Sequence, residues 1–396
     1  MRRLAAIVLS IFFVVGCRGA RVPGEPGGDV PRAPFPHGLA TCDAGLEACH
    51  SACDAGDGDR CAALGMHHYL ARGVPLSYAI ASSLFRRACD DLHSAAGCYA
   101  LGRATFAGNG VQRDRPRALA LFDRSCKGGF DQGCVRFARM LRAGDAIAID
   151  EKRAATIEEK ACDDGDMDGC ADVGDDHAQG WGLVRDADAA TRDWKRACEG
   201  GFGYGCWSLA QAMTGGSESD VEDQIALYDK GCKLGSGEAC DSLGVLASVS
   251  RNYFYDADLQ EAARYYDWAC ALEEPTGCYN LATAYAKGEG VDVNVAESAR
   301  LLYRGCRLDD ARSCMHLGAL VETGGEGFPA SPASAPVYYA QACALGDMDG
   351  CVDLGVCFRD GVGTKRDEAR ARATFAKACD KGDGTACEKE KAMEAL

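Results

Sequence analysis

The sequence lacks the short motifs on which common hydrolases and metal enzymes depend. No serine has a lysine three positions on, as serine β-lactamases require, and the esterase elbow Gly-x-Ser-x-Gly and the zinc motif His-Glu-x-x-His are also missing. Cys-x-x-Cys, typical of redox-active thiols and zinc sites, does not occur. Only seven histidines are present, and the one adjacent pair, His67 and His68, is expected at the surface or as cap residues. We therefore predict no catalytic residue, no cofactor and no metal.

Basic residues are fewer than acidic residues. The chain has 43 lysines and arginines against 59 aspartates and glutamates, a net charge of −16. Such a field repels nucleic acid and anionic membrane surfaces and favours neutral or basic partners. We expect no nucleic-acid binding.

Long hydrophobic runs are missing except at the N-terminus. Arg2 and Arg3 precede the run "LAAIVLSIFFVV", which is short for a membrane span and suits a signal peptide. The following "VVGC" resembles the lipobox of bacterial lipoproteins, which implies a signal peptide over residues 1–16 and acylation of Cys17. A plain secretory signal and an uncleaved anchor helix are the alternatives. Residues 17–40, rich in proline and glycine, read as a flexible tether.

Cysteine is the abundant residue, with 24 in the chain, and most of it recurs at a fixed period. Ten cysteine pairs are spaced 34–38 residues apart, which defines nine repeats over residues 61–387. Residues 41–60 form an N-terminal capping segment in this interpretation, and residues 388–396 form a polar C-terminal cap. So many cysteines in a long chain indicate an oxidising compartment.

Each repeat carries the pattern of two helices. The residue four before the first cysteine of a pair is aromatic in seven of nine repeats, and this ring shares one helical stripe with the cysteine. A second helix is predicted to begin at the other cysteine, with an apolar residue three positions on and Gly or Ala at the fourth. Glycines in "GNGV" (108–111), "GWGLV" (180–184) and "GEGV" (288–291) are expected to end it. Asp114, Asp186 and Asp367 are predicted N-caps.

This pattern, as in "CYALGRATFAGNGVQRDRPRALALFDRSC" (98–126), resembles the Sel-one-like repeat, a relative of the tetratricopeptide repeat. The resemblance implies an all-α solenoid of αα-hairpins stacked in a right-handed superhelix. Residues 138–150, 210–220 and 250–258 lack the glycine doublet, which puts the turns there in doubt.

The cysteines within a pair are too far apart for a bridge on one continuous helix, so the chain must turn between them. With that turn a disulfide fits, and the Helicobacter cysteine-rich proteins, a secreted branch of this family, have the same spacing and such bridges. The resemblance implies a disulfide-stapled solenoid with pairs at Cys53–Cys61, Cys89–Cys98, Cys126–Cys134, Cys162–Cys170, Cys198–Cys206, Cys232–Cys240, Cys270–Cys278, Cys306–Cys314, Cys343–Cys351 and Cys379–Cys387. Cys42 and Cys49 are expected to pair as well, and Cys357 remains as a buried free thiol or, alternatively, a reactive one.

Two cysteine-flanked stretches raise the question of metal. In "CDDGDMDGC" (162–170), Asp164, Asp166 and Asp168 copy the opening of an EF-hand loop, but the cysteines recur along the chain and the aspartates do not. We interpret it as a turn closed by a disulfide, with its acids facing water. Cys42, Cys49, His50 and Cys53 form the densest potential zinc cluster, and disulfide use is favoured there too.

The functional expectation is a non-catalytic scaffold. A superhelix of helix pairs has a long concave face suited to a peptide or folded partner, here a basic one. Trp181 and Trp207 are candidate contacts, although packing roles are favoured. We expect an exported, monomeric cell-envelope lipoprotein that touches the membrane only through its anchor, or alternatively a secreted protein. The cysteine-rich family suggests one other function, a β-lactamase-like or penicillin-binding hydrolase.

Overall fold

A computed structural model describes residues 38–213, 217–249 and 257–394, which all lie in one compact unit, residues 31–396. The predicted signal peptide, Cys17 and nearly all of the tether lie outside the described residues. So do residues 214–216 and 250–256, which belong to two of the three loops without a glycine doublet.

The described residues contain twenty α-helices, which loops and turns connect. We call the even-numbered helices A helices and the odd-numbered helices from α3 onward B helices. A π-helical turn, Arg87–Asp91, extends α3, and a short 3₁₀ turn, Pro332–Ser334, precedes α17. The helices are α1 Leu46–Asp54, α2 Gly58–Tyr69, α3 Tyr78–Arg86, α4 Ala95–Ala107, α5 Arg115–Lys127, α6 Asp131–Ala143, α7 Glu151–Asp163, α8 Met167–Gln179, α9 Ala187–Glu199, α10 Gly203–Gln211, α11 Glu218–Lys233, α12 Gly237–Ser248, α13 Leu259–Ala271, α14 Pro275–Lys287, α15 Val295–Arg307, α16 Ala311–Thr323, α17 Ala335–Ala344, α18 Met348–Asp360, α19 Glu368–Cys379 and α20 Gly384–Glu394.

The A helices begin earlier than the sequence pattern suggested. The second cysteine of each pair is the fourth residue of its helix, as Cys170 is in α8, so the predicted start at the cysteine was wrong. The reason is an N-cap in the connector: Asp166 accepts hydrogen bonds from the backbone N–H groups of Asp168 and Gly169 at 2.8 and 3.2 Å. A carboxylate or hydroxyl at this position satisfies backbone donors that a helix start leaves free.

The other ends of the A helices follow the prediction. Gly108, Gly180 and Gly288 end α4, α8 and α14 in the left-handed conformation, with φ of 77, 82 and 77°. Asp114, Asp186 and Asp367 cap α5, α9 and α19, as their spacing predicted. In the loop after α6, which lacks the doublet, a left-handed Gly144 and the N-cap Asp150 still make the turn.

Within most repeats an aromatic ring of the B helix packs directly on a glycine of the A helix. A Cβ atom added to Gly174 would lie 2.4 Å from Cδ1 of Trp194, closer than two such atoms can approach. The same pairing joins Gly65 to Phe85, Gly102 to Phe122, Gly244 to Tyr266, Gly318 to Tyr339 and Gly355 to Phe375. Of the three repeats with alanine at this position, two lack the ring and carry Glu158 or Leu302 instead. Helix separation and ring volume are therefore matched repeat by repeat.

Disulfides join the end of each B helix to the following A helix, and in most pairs the second cysteine is eight positions after the first. The expected fold, an all-α solenoid stapled by disulfides, is thus confirmed. None of the helices in the described ranges combines the length and the apolar character needed to cross a membrane.

Candidate functional site

The A helices form the tighter layer of the stack. Each B helix packs on the A helix that follows it, and among equivalent helices of neighbouring repeats the contacts join A helices, for example α2 to α4, α6 to α8, α10 to α12 and α12 to α14. In a curved stack of helix pairs, the layer whose members lie closer together faces the concave side. The exposed side chains of the A helices are therefore the candidate site, which we call the A-helix face.

Side-chain hydrogen bonds connect one repeat to the next along this face. The Tyr204 hydroxyl donates to Asp175 at 3.0 Å, and Trp207 Nε1 donates to the Ser242 hydroxyl at 3.0 Å. Further along, Asn280 donates to Asp241 at 2.8 Å. These bonds hold aromatic and acidic groups of successive repeats in fixed relative positions.

Tyr279 is the centre of a second polar group on the same face. Its hydroxyl lies 3.1 Å from Nε2 of His316, and the guanidinium of Arg312 lies 4.6 Å from the centre of its ring. An open cavity of about 130 Å³ adjoins it, lined also by Ser248, Tyr266 and Glu289. A ring with an acidic and an amide neighbour is suited to hold a polar or cationic side chain.

Carboxyl groups on and beside this face bind protons more tightly than usual. Burial raises the pKa of Asp175 to about 6, with a further contribution from the charge of Asp172. Burial also raises the pKa of Asp241 to about 6 and that of Glu274 to about 7, and Glu238 adds to the shift of Glu274. Burial thus disfavours the ionised carboxylates, and a cationic ligand would stabilise them.

A buried ionic cluster lies beneath the face, between α6, α7 and α8. Arg139 Nε lies 2.7 Å from Asp172 and also bonds Asp168, while Arg142 bonds Asp176 and lies 3.1 Å from Glu158. Four carboxyl groups, those of Glu158, Asp168, Asp172 and Asp176, thus share two guanidinium groups.

Glu158 occupies the position where most repeats have a ring, and its side chain is fully buried. Burial first, and then the charge of Asp172, raises the pKa of Glu158, and burial likewise raises that of Asp176. Oε1 of Glu158, although 3.1 Å from Nη2 of Arg142, and Oδ2 of Asp176 accept no hydrogen bond from the described protein atoms. A proton on Glu158 supplies the missing hydrogen bond to Asp176.

The structure pairs 22 cysteines in eleven disulfides with Cα–Cα distances of 4.4–5.5 Å. They are the ten repeat pairs and Cys42–Cys49, whose Cα atoms lie 5.5 Å apart. Cys357 is a buried free thiol, and burial raises its pKa to about 11, so little nucleophilic thiolate forms.

The stretch from Cys162 to Cys170 differs from its prediction. Asp164 is exposed and pairs with Lys160 at 2.7 Å, but Asp166 and Asp168 are buried. The expectation that all these acids face water was therefore wrong, because Asp166 caps α8 and Asp168 binds Arg139. The signal for the cap was in the sequence, where Asp or Ser follows the turn in most connectors.

The other candidates also have structural partners. Cys42, Cys49 and Cys53 are oxidised in disulfides, so they offer no thiolate to zinc. Across residues 38–213, 217–249 and 257–394, no three His, Cys, Asp or Glu side chains are grouped to hold a metal ion. His67 and His68 are half-buried at the end of α2 and lie 2.7 and 3.4 Å from backbone carbonyls of the next loop.

The two tryptophans that interrupt the repeat pattern both have neighbours. Trp181 is 40% exposed, and its ring lies 5.4 Å from the Arg142 guanidinium, which it covers. Trp207 lies on the A-helix face, 5.2 Å from the ring of Tyr204. Of the two, Trp207 lies within an A helix, α10, whereas Trp181 lies in the loop after α8.

Comparison with known proteins agrees with this architecture. Residues 61–91, 95–130, 275–310, 311–347 and 349–383 match the Sel1 repeat. The cytochrome c oxidase assembly factor 7 of Danio rerio is 32% identical over 129 residues, 31% of this chain and 55% of that protein. The chain thus spans about half the length of the curated relatives it matches.

Two solved structures are similar. A Sel1 repeat protein from Oxalobacter formigenes is 20% identical, with a TM-score of 0.50, over 80% of this chain and 93% of that one. The Helicobacter pylori cysteine-rich protein B is 34% identical, with a TM-score of 0.28, over 33% of this chain and 94% of that one. Five segments of this chain thus match the Sel1 repeat, and the described residues form an all-helical solenoid that disulfides staple.

Proposed function

We propose that the protein is a non-catalytic scaffold that binds a basic peptide or protein segment along its A-helix face. The observation that carries the proposal is the run of aromatic and acidic side chains on successive A helices, held by hydrogen bonds between repeats. Rings supply contact area at low entropic cost, and carboxylates with raised pKa values favour a cationic ligand. The name of the Danio rerio relative, an assembly factor, is compatible with a scaffold role.

Selection of a displayed peptide library on the immobilised protein tests this proposal. We expect the recovered peptides to be rich in lysine and arginine. Tyr279→Ala or Asp241→Asn should weaken their binding about tenfold, or ~1.4 kcal/mol, as at a typical interface hot spot. Tyr303→Ala is the matched control, because Tyr303 is an exposed tyrosine on a B helix. Equal binding by all three variants, or turnover of a chromogenic β-lactam by the purified protein, would contradict the scaffold.

We also propose that the protein is exported, monomeric and anchored to the cell envelope by acyl chains on Cys17. Eleven disulfides support export, since thiols stay reduced in most cytosols. Labelled palmitate fed to producing cells should be incorporated into the protein and lost in Cys17→Ser, but retained in Cys357→Ser. Equal labelling of the two variants would favour a plain secretory signal or an uncleaved anchor.

A further inference from the structure

Two parts of the array that are distant in sequence touch through ion pairs. Arg113, in the loop before α5, donates from both guanidinium nitrogens to the two carboxylate oxygens of Asp309, at 2.8 Å for the first bond. Arg115 adds a second guanidinium at 3.1 Å from the same carboxylate. The partners are 196 and 194 residues apart, so the contact joins the loop before α5 to the turn between α15 and α16.

Two further contacts link the same regions. Arg103 of α4 lies 3.8 Å from Glu273 in the turn between α13 and α14. Arg307, the last residue of α15, donates to the side-chain oxygen of Asn109 at 3.3 Å. A bidentate pair within such a network is stronger than an isolated surface pair.

The backbone conformation of Glu273 and Asp309 supports a role in this contact. They lie three residues after the first cysteine of their pairs, where seven connectors have a glycine with φ between 83 and 99°. Glu273 and Asp309 adopt φ of 66 and 68° there, in the left-handed region that costs side-chain-bearing residues free energy. The turn itself therefore favours glycine. Two of the three exceptions, Glu273 and Asp309, carry a carboxylate that reaches an arginine of the distant region, and the third, in the longer Cys89–Cys98 connector, turns at His93 with φ of 56°.

We propose that these ion pairs are a salt-sensitive latch that holds the α4–α5 region against the α13–α16 region. The chain between the two regions includes α8, α10 and α12, so the latch fixes the separation between the ends of that part of the A-helix face. The contacts that define the latch are independent of which ligand the A-helix face binds. Because its members are partly exposed, with 33% of the Arg113 side chain and 26% of the Asp309 side chain accessible, salt ions can screen it.

Small-angle X-ray scattering of the full-length oxidised protein tests the latch. The double variant Glu273→Gly/Asp309→Gly removes both carboxylates and gives each turn the residue that the other connectors use. We expect the wild-type radius of gyration to increase between low salt and about 1 M NaCl, where the Debye length is roughly 3 Å. The double variant and Arg113→Gln should already have the larger radius at low salt.

Two control variants separate the latch from general effects of charge. Arg117→Gln removes an arginine from α5 near the latch, and Asp164→Asn removes a connector acid whose partner, Lys160, is local. Both should behave as wild type. A wild-type radius that does not respond to salt, or a double variant as compact as wild type at low salt, would overturn the latch. Circular dichroism of each variant verifies that its helices are retained.

Discussion

At the residue scale, Glu158 replaces the aromatic ring of other repeats with a buried acid. Its carboxyl faces Asp176 and Arg142 directly, and Arg139, Asp168 and Asp172 complete the cluster. In the unfolded chain a glutamate ionises near pH ~4.3. In the folded protein burial disfavours the ionised carboxylate and raises the pKa of Glu158. Any stability gained from the protonated form is therefore present below pH ~4.3 and declines as the pH rises.

This linkage predicts the pH behaviour of Glu158→Gln. The variant removes the titration, so its free energy of unfolding should increase relative to wild type as the pH rises from 5 to 8, by at most about 1.4 kcal/mol per pH unit. Urea unfolding of the oxidised proteins measures the difference. Glu159→Gln, on the exposed neighbour, should show no such trend. A difference independent of pH would mean that Glu158 is ionised in the folded protein.

Cys357 gives a second prediction at this scale. In a Cys17→Ser background the structure leaves one thiol, which is buried and has a pKa raised to about 11. We expect iodoacetamide at pH 8 to label no cysteine in the native protein and one after denaturation, with none in the further variant Cys357→Ala. Two or more labelled cysteines would contradict the set of eleven disulfides.

At the element scale, the contact between ring and glycine sets the separation of the two helices in a repeat. Gly174→Ala places a methyl group against Trp194 and should lower the free energy of unfolding by about 1–3 kcal/mol, the usual cost of overpacking. Adding Trp194→Leu should recover part of this loss, because Ala282 and Leu302 make that combination elsewhere in the array. Gly384→Ala, at a helical glycine with open space around it, is the control and should change stability by less than about 1 kcal/mol. Additive effects of the two substitutions would contradict matched packing.

The elements were largely predictable from the sequence because their signals are local. The glycines after the A helices and the caps Asp114 and Asp186 act within a few residues of the helix ends, and the period can be read directly along the chain. The Asp166 cap was equally local and was missed because the cysteine was taken as the helix start. The partners of Glu158 and Asp309 were not predictable, since they depend on how separate repeats are placed in space.

At the scale of the whole molecule, the disulfides couple neighbouring repeats. Each closes a loop of seven to nine residues and is worth roughly 2–3 kcal/mol by the loop-entropy estimate. Reduction should therefore lower the midpoint of thermal unfolding and broaden the transition, because repeats can then unfold separately. Calorimetry with and without a phosphine reductant measures both quantities. An unchanged midpoint and width would mean that packing alone holds the repeats together.

The placement of the bridges also determines how the chain responds to proteases. A cut between Cys162 and Cys170 leaves the polypeptide in one covalent piece, because the disulfide spans it. A cut in the loop between Gly144 and Asp150 lies outside every disulfide of the described structure and divides the protein in two. Among the loops of the described repeats, the turns between the two helices of a repeat are therefore points of fragmentation, whereas the connectors between repeats can be nicked without loss of any part of the molecule.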